Sequence, residues 1–416
     1  MSAGLGGVLP LFSSILRDSR AGGTQLPPAR FARFISSLCL CASVLLGAAL
    51  PGAPVAHADE LLLGASTATS TFGQPVLFRA QVSPAQNQSV EFSDGATTLA
   101  TTAASSNSSQ TIALGLDDIC VVDPGGGVLC WDSFNTYGEL GDGTTTTRLT
   151  PAYVSGLNSG VIAIGSGPFH SCALTNTGGL KCWGLNTFGQ IGSSANNGTD
   201  NPNPTPVDVT GLTSGVAAMA MGDNHTCALT VAGGVKCWGD NSSGQLGVTT
   251  NNGTDNPNPT PVDVTGLTSG VTAIAAAGSS TCALTIGGGV KCWGALGSTT
   301  PVDVSGLESG VVAIAAGGLL YGGDPVGDHA CAVTSAGGLK CWGDNSLGQL
   351  GDGTTTYRVA AVDVSGLSTG VLGVTAGAGH TCAIVHNPNP GFPKVYCWGS
   401  NNSGQLGEGN QLLQTA

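Results

Sequence analysis

Charge is scarce in this chain, with only 9% of its 416 residues Asp, Glu, Lys or Arg. Stretches mixing Glu, Lys, Leu and Ala, which make surface helices, are missing, and an all-helical architecture is excluded at the outset. Basic residues are scarcer still, with Lys+Arg 12 against Asp+Glu 25. The resulting net charge of −13 repels phosphate backbones and anionic lipid, so no nucleic acid is expected as a partner and no binding to a membrane surface. Also lacking are a Gly-x-Ser-x-Gly elbow, a phosphate-binding Gly-Lys loop, a zinc-protease helix and the spacing of a calcium loop. The expectation is a protein that is not an enzyme and holds no cofactor and no metal.

What is plentiful points the other way. Gly 67, together with abundant Thr, Ser and Val, supplies tight turns and β-branched strands, and 41% hydrophobic residues suffice for a core. At the N-terminus, Arg17, Arg20, Arg30 and Arg33 precede an apolar run from Phe34 to Leu50, and Ala56-His57-Ala58 offers small residues for cleavage. Residues 1–58 therefore read as a signal peptide, and the protein is expected to be secreted or at the cell surface. The run is short for a membrane span and no second one follows, so no span remains after processing. Removal takes away four Arg and Asp18 and moves the net charge from −13 to −16.

The dominant feature is repetition. A Cys-Trp pair recurs six times, at Cys130-Trp131, Cys182-Trp183, Cys237-Trp238, Cys292-Trp293, Cys341-Trp342 and Cys397-Trp398, and these are all the Trp in the chain. Residues Asn196–Val216 recur unchanged as Asn251–Val271, the trace of a tandem duplication. Within one unit, apolar runs at Val216–Ala220, His225–Thr230, Val235–Trp238 and Pro261–Val264 are separated by Gly-rich turns. Four short strands per unit make a propeller blade, so the expected fold is an all-β propeller of six recognisable four-stranded blades.

Three linked motifs of that unit, His225-Thr226-Cys227-Ala228-Leu229-Thr230, Val235-Lys236-Cys237-Trp238-Gly239 and Gly244-Gln245-Leu246-Gly247, resemble the repeat of the regulator-of-chromosome-condensation family. The third motif recurs at Gly348–Gly351 and Gly404–Gly407, with variants at Gly189–Gly192 and Gly138–Gly141. The resemblance covers roughly residues 111–416 and implies a propeller, usually of seven blades. Only six units are present, and the sixth reaches Ala416 where its fourth strand should begin. A six-bladed closure, a ring completed by N-terminal strands and a chain that continues further all fit this count. Residues 59–110 resemble a shortened bacterial immunoglobulin-like segment, followed by a Ser/Thr-rich linker.

Twelve cysteines follow the leader. In Cys172–Cys182 a turn centred on Thr177 places the two directly opposite on adjacent strands, close enough for a disulfide. The same spacing pairs Cys120 with Cys130, Cys227 with Cys237, Cys282 with Cys292, and Cys331 with Cys341; Cys382 pairs with Cys397. Export favours such a framework, and two Cys with nine residues between them are too few for a zinc site. His170, His225, His329 and His380 share one repeat slot, held by Asp118 and Ser280 in the other units. A residue that recurs with the architecture is expected to anchor a turn in each blade by a hydrogen bond rather than to catalyse.

Function is expected where the repeat is broken. Unit five carries a nine-residue insertion around Gly318–Pro325, whereas the loop after Trp293 is short. Unit four becomes a low point beside that insertion, and Asn256, Asn258, Leu320, Tyr321 and Asp324 are the expected ligand-binding residues. A protein partner is the first expectation, extending to inhibition of a secreted enzyme as in some bacterial relatives. A carbohydrate or adhesion role is the alternative, with Phe134, Phe169, Phe188 and Tyr321 as the aromatics available to it. N-terminal sequencing of exported protein is expected to begin just after Ala58; a start at Met1 removes both the leader and the redox argument.

Overall fold

The computed structural model describes residues 88–94, 97–104, 112–116, 118–132, 134–319, 326–387, 393–402 and 404–407. Its regular elements are all strands. β1 (Gln88–Asp94) and β2 (Thr97–Ala104) form an antiparallel hairpin with its own two-stranded sheet. The rest of the segment expected to be immunoglobulin-like, and residues 1–58 expected as a leader, lie outside the described residues.

Six antiparallel sheets follow, each a meander in chain order. The first blade comprises β3 (Ile112–Leu114), β4 (Asp118–Val122), β5 (Val128–Asp132) and β6 (Arg148–Tyr153). The second holds β7 (Val161–Ser166), β8 (His170–Thr175), β9 (Leu180–Gly184) and β10 (Asn203–Asp208). The third holds β11 (Val216–Met221), β12 (His225–Thr230), β13 (Val235–Gly239) and β14 (Val262–Asp263). The fourth comprises β15 (Val271–Ala277), β16 (Ser280–Thr285), β17 (Val290–Gly294) and β18 (Val302–Asp303). The fifth comprises β19 (Val311–Leu319), β20 (Val326–Thr334), β21 (Leu339–Gly343) and β22 (Arg358–Asp363). The sixth has three strands among the described residues, β23 (Val371–Ala376), β24 (His380–Val385) and β25 (Lys394–Gly399). The first strands of successive blades lie against one another, so they form the inner wall and the fourth strands the outer. This is the expected β-propeller.

The sequence explains each blade locally. At the hairpin joining second and third strands, Thr230 Oγ1 donates to the Gly234 carbonyl at 3.1 Å and accepts from its N–H at 3.0 Å, while Gly233 takes a φ of +79°. That left-handed turn needs a residue without a Cβ. The turn fixes the register that sets Cys227 opposite Cys237. The same pairing holds in all six blades, and six disulfides cross from second to third strand with Cα–Cα distances of 4.0–4.2 Å. On the outer flank Lys181, Lys236, Lys291 and Lys340 each donate at 2.7 Å to Asp208, Asp263, Asp303 and Asp363 of the fourth strand. These exposed pairs explain the repeated aspartates and contribute little stability.

Cores form between blades rather than within them. One joins Cys172, Leu174, Leu180 and Cys182 of the second blade to Val216, Ala228 and Trp238 of the third. Each blade therefore depends on its neighbour for burial. Replacing both Cys227 and Cys237 by Ser is expected to destabilise the protein by roughly 3 kcal/mol, the loop-closure value for a short loop. Denaturant unfolding without reductant measures this, and a change near zero contradicts it.

Candidate binding surface where the repeat breaks

The Gly-Gln-Leu-Gly turn after each third strand turns out to be the device that joins blades. Asn241 Oδ1 accepts from the Leu246 N–H at 3.0 Å and Gln245 Oε1 from the Ser243 N–H at 2.9 Å, folding the turn on itself. Leu246 is buried beneath it. Gly247, at φ +69°, lies so close to Trp293 of the next blade that a Cβ would come within 3.0 Å of its indole nitrogen. The turn thereby presents the Gln245 main-chain carbonyl to the fourth blade. It accepts the Trp293 Nε1–H at 2.8 Å and the Thr281 hydroxyl at 3.0 Å. Gln190 serves Trp238 and Thr226 at 2.9 Å each, and Gln349 serves Trp398 at 2.9 Å and Thr381 at 2.8 Å.

The repeated histidine completes the junction. His170 Nε2 lies 2.8 Å from Thr226 Oγ1, His225 Nε2 2.9 Å from Thr281 Oγ1, and His329 Nε2 3.0 Å from Thr381 Oγ1. Each contact crosses to the next blade, which corrects the expected turn anchor within a blade. The threonine proton goes to the glutamine carbonyl, so the histidine must donate from Nε2 and keep Nδ1 bare. Nδ1 of all three has no partner, which is tolerable for a lone pair and costly for a buried charged N–H. Burial accordingly pushes the histidines down, His170 and His380 to about 4, and His225 and His329 to about 3. The first junction is a variant, with Ser171 donating to Asp118 at 3.4 Å while Trp183 still donates to the Glu139 carbonyl. Burial raises Asp118 to about 7.

The junction between fourth and fifth blades breaks the pattern. After Trp293 the chain reads Gly294-Ala295-Leu296-Gly297-Ser298, with no glutamine turn. Trp342 of the fifth blade is buried, and its Nε1–H has no acceptor. The threonine slot holds Ala330 and the histidine slot Ser280, so the whole trio of polar partners has gone together. In their place Asp328 reaches back across the junction, its Oδ2 accepting from Ser280 Oγ at 2.5 Å and from the Ser279 N–H at 2.9 Å. Its Oδ1 is buried without a partner, and burial raises its carboxyl to about 7. The sequence shows the short loop after Trp293 and the insertion before Asp328, but not that Asp328 crosses to the fourth blade.

Other expected ligand residues are distributed differently. Asn258 is stitched into the scaffold, its N–H donating to the Phe188 carbonyl and its Nδ2 to the Gly239 carbonyl at 2.9 Å each. Its loop thus leans back over the second blade rather than towards the fourth. Asn256 is exposed on that loop. Leu320, Tyr321 and Asp324 lie outside the described residues. Of the aromatics, Phe134 is exposed, and Phe169 meets Tyr137 edge-on at 5.8 Å.

This architecture defines a β-propeller whose blades are locked by an indole and a hydroxyl on a neighbour's carbonyl. The family profile described as "Regulator of chromosome condensation (RCC1) repeat" matches residues 126–174, 178–229 and 232–284, and a second profile of that description matches 161–190, 216–245 and 327–349. The chain thus carries repeats similar to the RCC1 repeat on a β-propeller fold. It is 28% identical over 297 residues to the ultraviolet-B receptor UVR8 of Arabidopsis thaliana, covering 70% of this chain and 64% of the receptor. It is 37% identical over 123 residues to the human probable E3 ubiquitin-protein ligase HERC4, 29% of this chain and only 11% of the ligase. Among solved structures, yeast RCC1 (Prp20) superposes with a TM-score of 0.59 at 21% identity, covering 73% of each chain. Human WBSCR16 gives 0.56 at 22%, covering 66% of this chain and 71% of that one.

The junction chemistry sets a pH response. Histidines depressed below 6.5 contribute stability that is complete above that pH and is lost as pH falls towards 4 and 3. Asp118 and Asp328 oppose this, since their raised values favour the fold below 3.8 and that gain is lost as pH rises through about 7. Near pH 5 the four histidines outnumber the two carboxyls, so the unfolded chain binds more protons. The melting temperature is expected to fall between pH 6.5 and 4.5, and less steeply in His225→Asn, which also melts earlier at pH 7. A flat wild-type profile in thermal melts across this range contradicts the neutral-histidine junction.

Proposed function

We propose that the protein is an exported protein-binding scaffold, and that it takes its partner at the loop end over the fourth and fifth blades. One observation carries this reading: the repeat loses its glutamine turn, threonine and histidine at a single junction, and Asp328, from the strand that follows the unit-five insertion, is what bridges it. Elsewhere the polar repeat residues are consumed by joining blades, which leaves them no chemistry to offer a ligand. Loss of three stabilising partners at one place is the pattern of a site where stability has been traded for function. Six disulfides support export, because such a framework persists in oxidising compartments. A protein partner is supported by the structural relative solved with one, yeast RCC1 bound to Kap60. An inserted Leu320-Tyr321 pair supplies the apolar and aromatic anchors on which binding energy concentrates.

The test is affinity capture from the envelope and medium of the producing cell, comparing wild type with Leu320→Ser/Tyr321→Ser and with His225→Ala. Loop substitutions are expected to change stability by no more than about 0.5 kcal/mol and to abolish capture of the partner. His225→Ala is expected to melt earlier and still bind while folded. Wild-type capture by the loop variant, or lost capture by a fully stable histidine variant, sinks the proposal.

A further inference from the structure

The end of the propeller opposite the insertion carries an aliphatic ring that no strand pairing requires. In blades two to six the first strand slips register after its first residue: between Val161 and Ala163, Val216 and Ala218, Val271 and Ala273, Val311 and Ala313, and Val371 and Gly373. The skipped residue is a β-bulge, turned out of the ladder. Its side chain is Ile162, Ala217, Thr272, Val312 and Leu372 in turn, and all five are exposed. Beside each bulge sits the first residue of the hairpin turn between second and third strands. The N–H groups of Asn176, Val231, Ile286, Ser335 and His386 donate to the carbonyls of Gly160, Gly215, Gly270, Gly310 and Gly370, one or two residues before the bulged strand begins to slip.

The two positions complement each other. Where the bulge is large the turn residue is polar, and where it is Ala217 or Thr272 the turn brings Val231 or Ile286. Each of five consecutive blades thus contributes one large aliphatic side chain, Ile162, Val231, Ile286, Val312 and Leu372, exposed by 36–83%. Scattered exposed aliphatics are ordinary, but one per blade, all at the same end of five successive blades, is a repeated feature of that end. Between them the loops before the first strands are rich in Ser, Thr and Gly, and Glu308 is their one charged residue. Asp123 and Glu308 are the only carboxylates on the described turns of this end, and the flanking aspartates are paired with lysines. Asp200, Asp223, Asp240, Asp255 and Asp344 lie in loops of the other end, as does the start of β20 with Asp328.

We propose that a second copy of this chain docks here, turn end to turn end. A chain of net charge −13 repels its own copies, and of its two ends this one brings the fewer unpaired carboxylates together, Asp123 and Glu308 among the described turns. The patch suits itself, aliphatic on aliphatic and hydroxyl loop on hydroxyl loop, as a two-fold interface demands. Such pairing leaves both insertion-bearing ends facing outwards.

Sedimentation equilibrium of the full exported chain tests this, with Val231→Asp/Ile286→Asp and, as a control at the other end, Asp200→Lys. Wild type and the control are expected to show a concentration-dependent rise to twice the monomer mass. The double variant should associate at least about tenfold more weakly, because each carboxylate is desolvated on an apolar surface. Unchanged circular dichroism and the absence of free thiols show that the variant is folded. If the variant misfolds, Ile162→Ser and Leu372→Ser singly report on the same ring. A wild type that stays monomeric to its solubility limit overturns the proposal. So does a dimer indifferent to every ring substitution, or one lost in the Asp200→Lys control.

Discussion

In the second, third and fifth blades one main-chain carbonyl, that of the glutamine in the Gly-Gln-Leu-Gly turn or its Gly-Gln-Ile-Gly variant, sets the next blade in register. It accepts an indole N–H and a threonine hydroxyl from the following blade, and that hydroxyl in turn accepts from the histidine of the carbonyl's own blade. All of these groups are buried, so each must find its partner, and only one relative placement of two blades satisfies them all. Hydrophobic contact between blades supplies burial without direction. The polar trio supplies the direction.

This division of labour explains the composition. No residue of the turn is interchangeable with another. Its glycines take left-handed conformations and admit the neighbouring indole, leucine fills the core, and the glutamine side chain folds the turn whose carbonyl it presents. Disulfides hold second and third strands together inside each blade but cross no junction. Covalent bonds therefore secure the blades, and hydrogen bonds secure each blade to the next.

The fourth junction shows that these residues act as a unit. When the turn shortens and the carbonyl is lost, threonine becomes Ala330 and histidine becomes Ser280, while Asp328 bridges the gap. A retained threonine would bury a hydroxyl with no acceptor, at a cost of roughly 1–3 kcal/mol. The indole of Trp342 could not be surrendered as cheaply, because its ring fills the core, and it keeps an orphaned N–H. At the last blade His380 Nε2 is likewise without a partner, and at the first, Trp131 is only half buried where its counterparts are covered.

The sequence by itself determined the blades: strand periodicity, Gly-rich turns and facing cysteines are local signals, each confined to a few neighbouring residues. It also showed that the histidines belong to the architecture. It did not show that a histidine's partner lies in the next blade, some 52–56 residues away. It placed Asn258 beside the fourth blade, whereas packing folds that loop onto the second. The exposed bulge residues were equally illegible, since a one-residue slip leaves no mark on an alternating pattern this short. Only the tertiary structure decided which loops meet and which side chains remain outside, because the hydrogen bonds that decide it join residues with no sequence proximity.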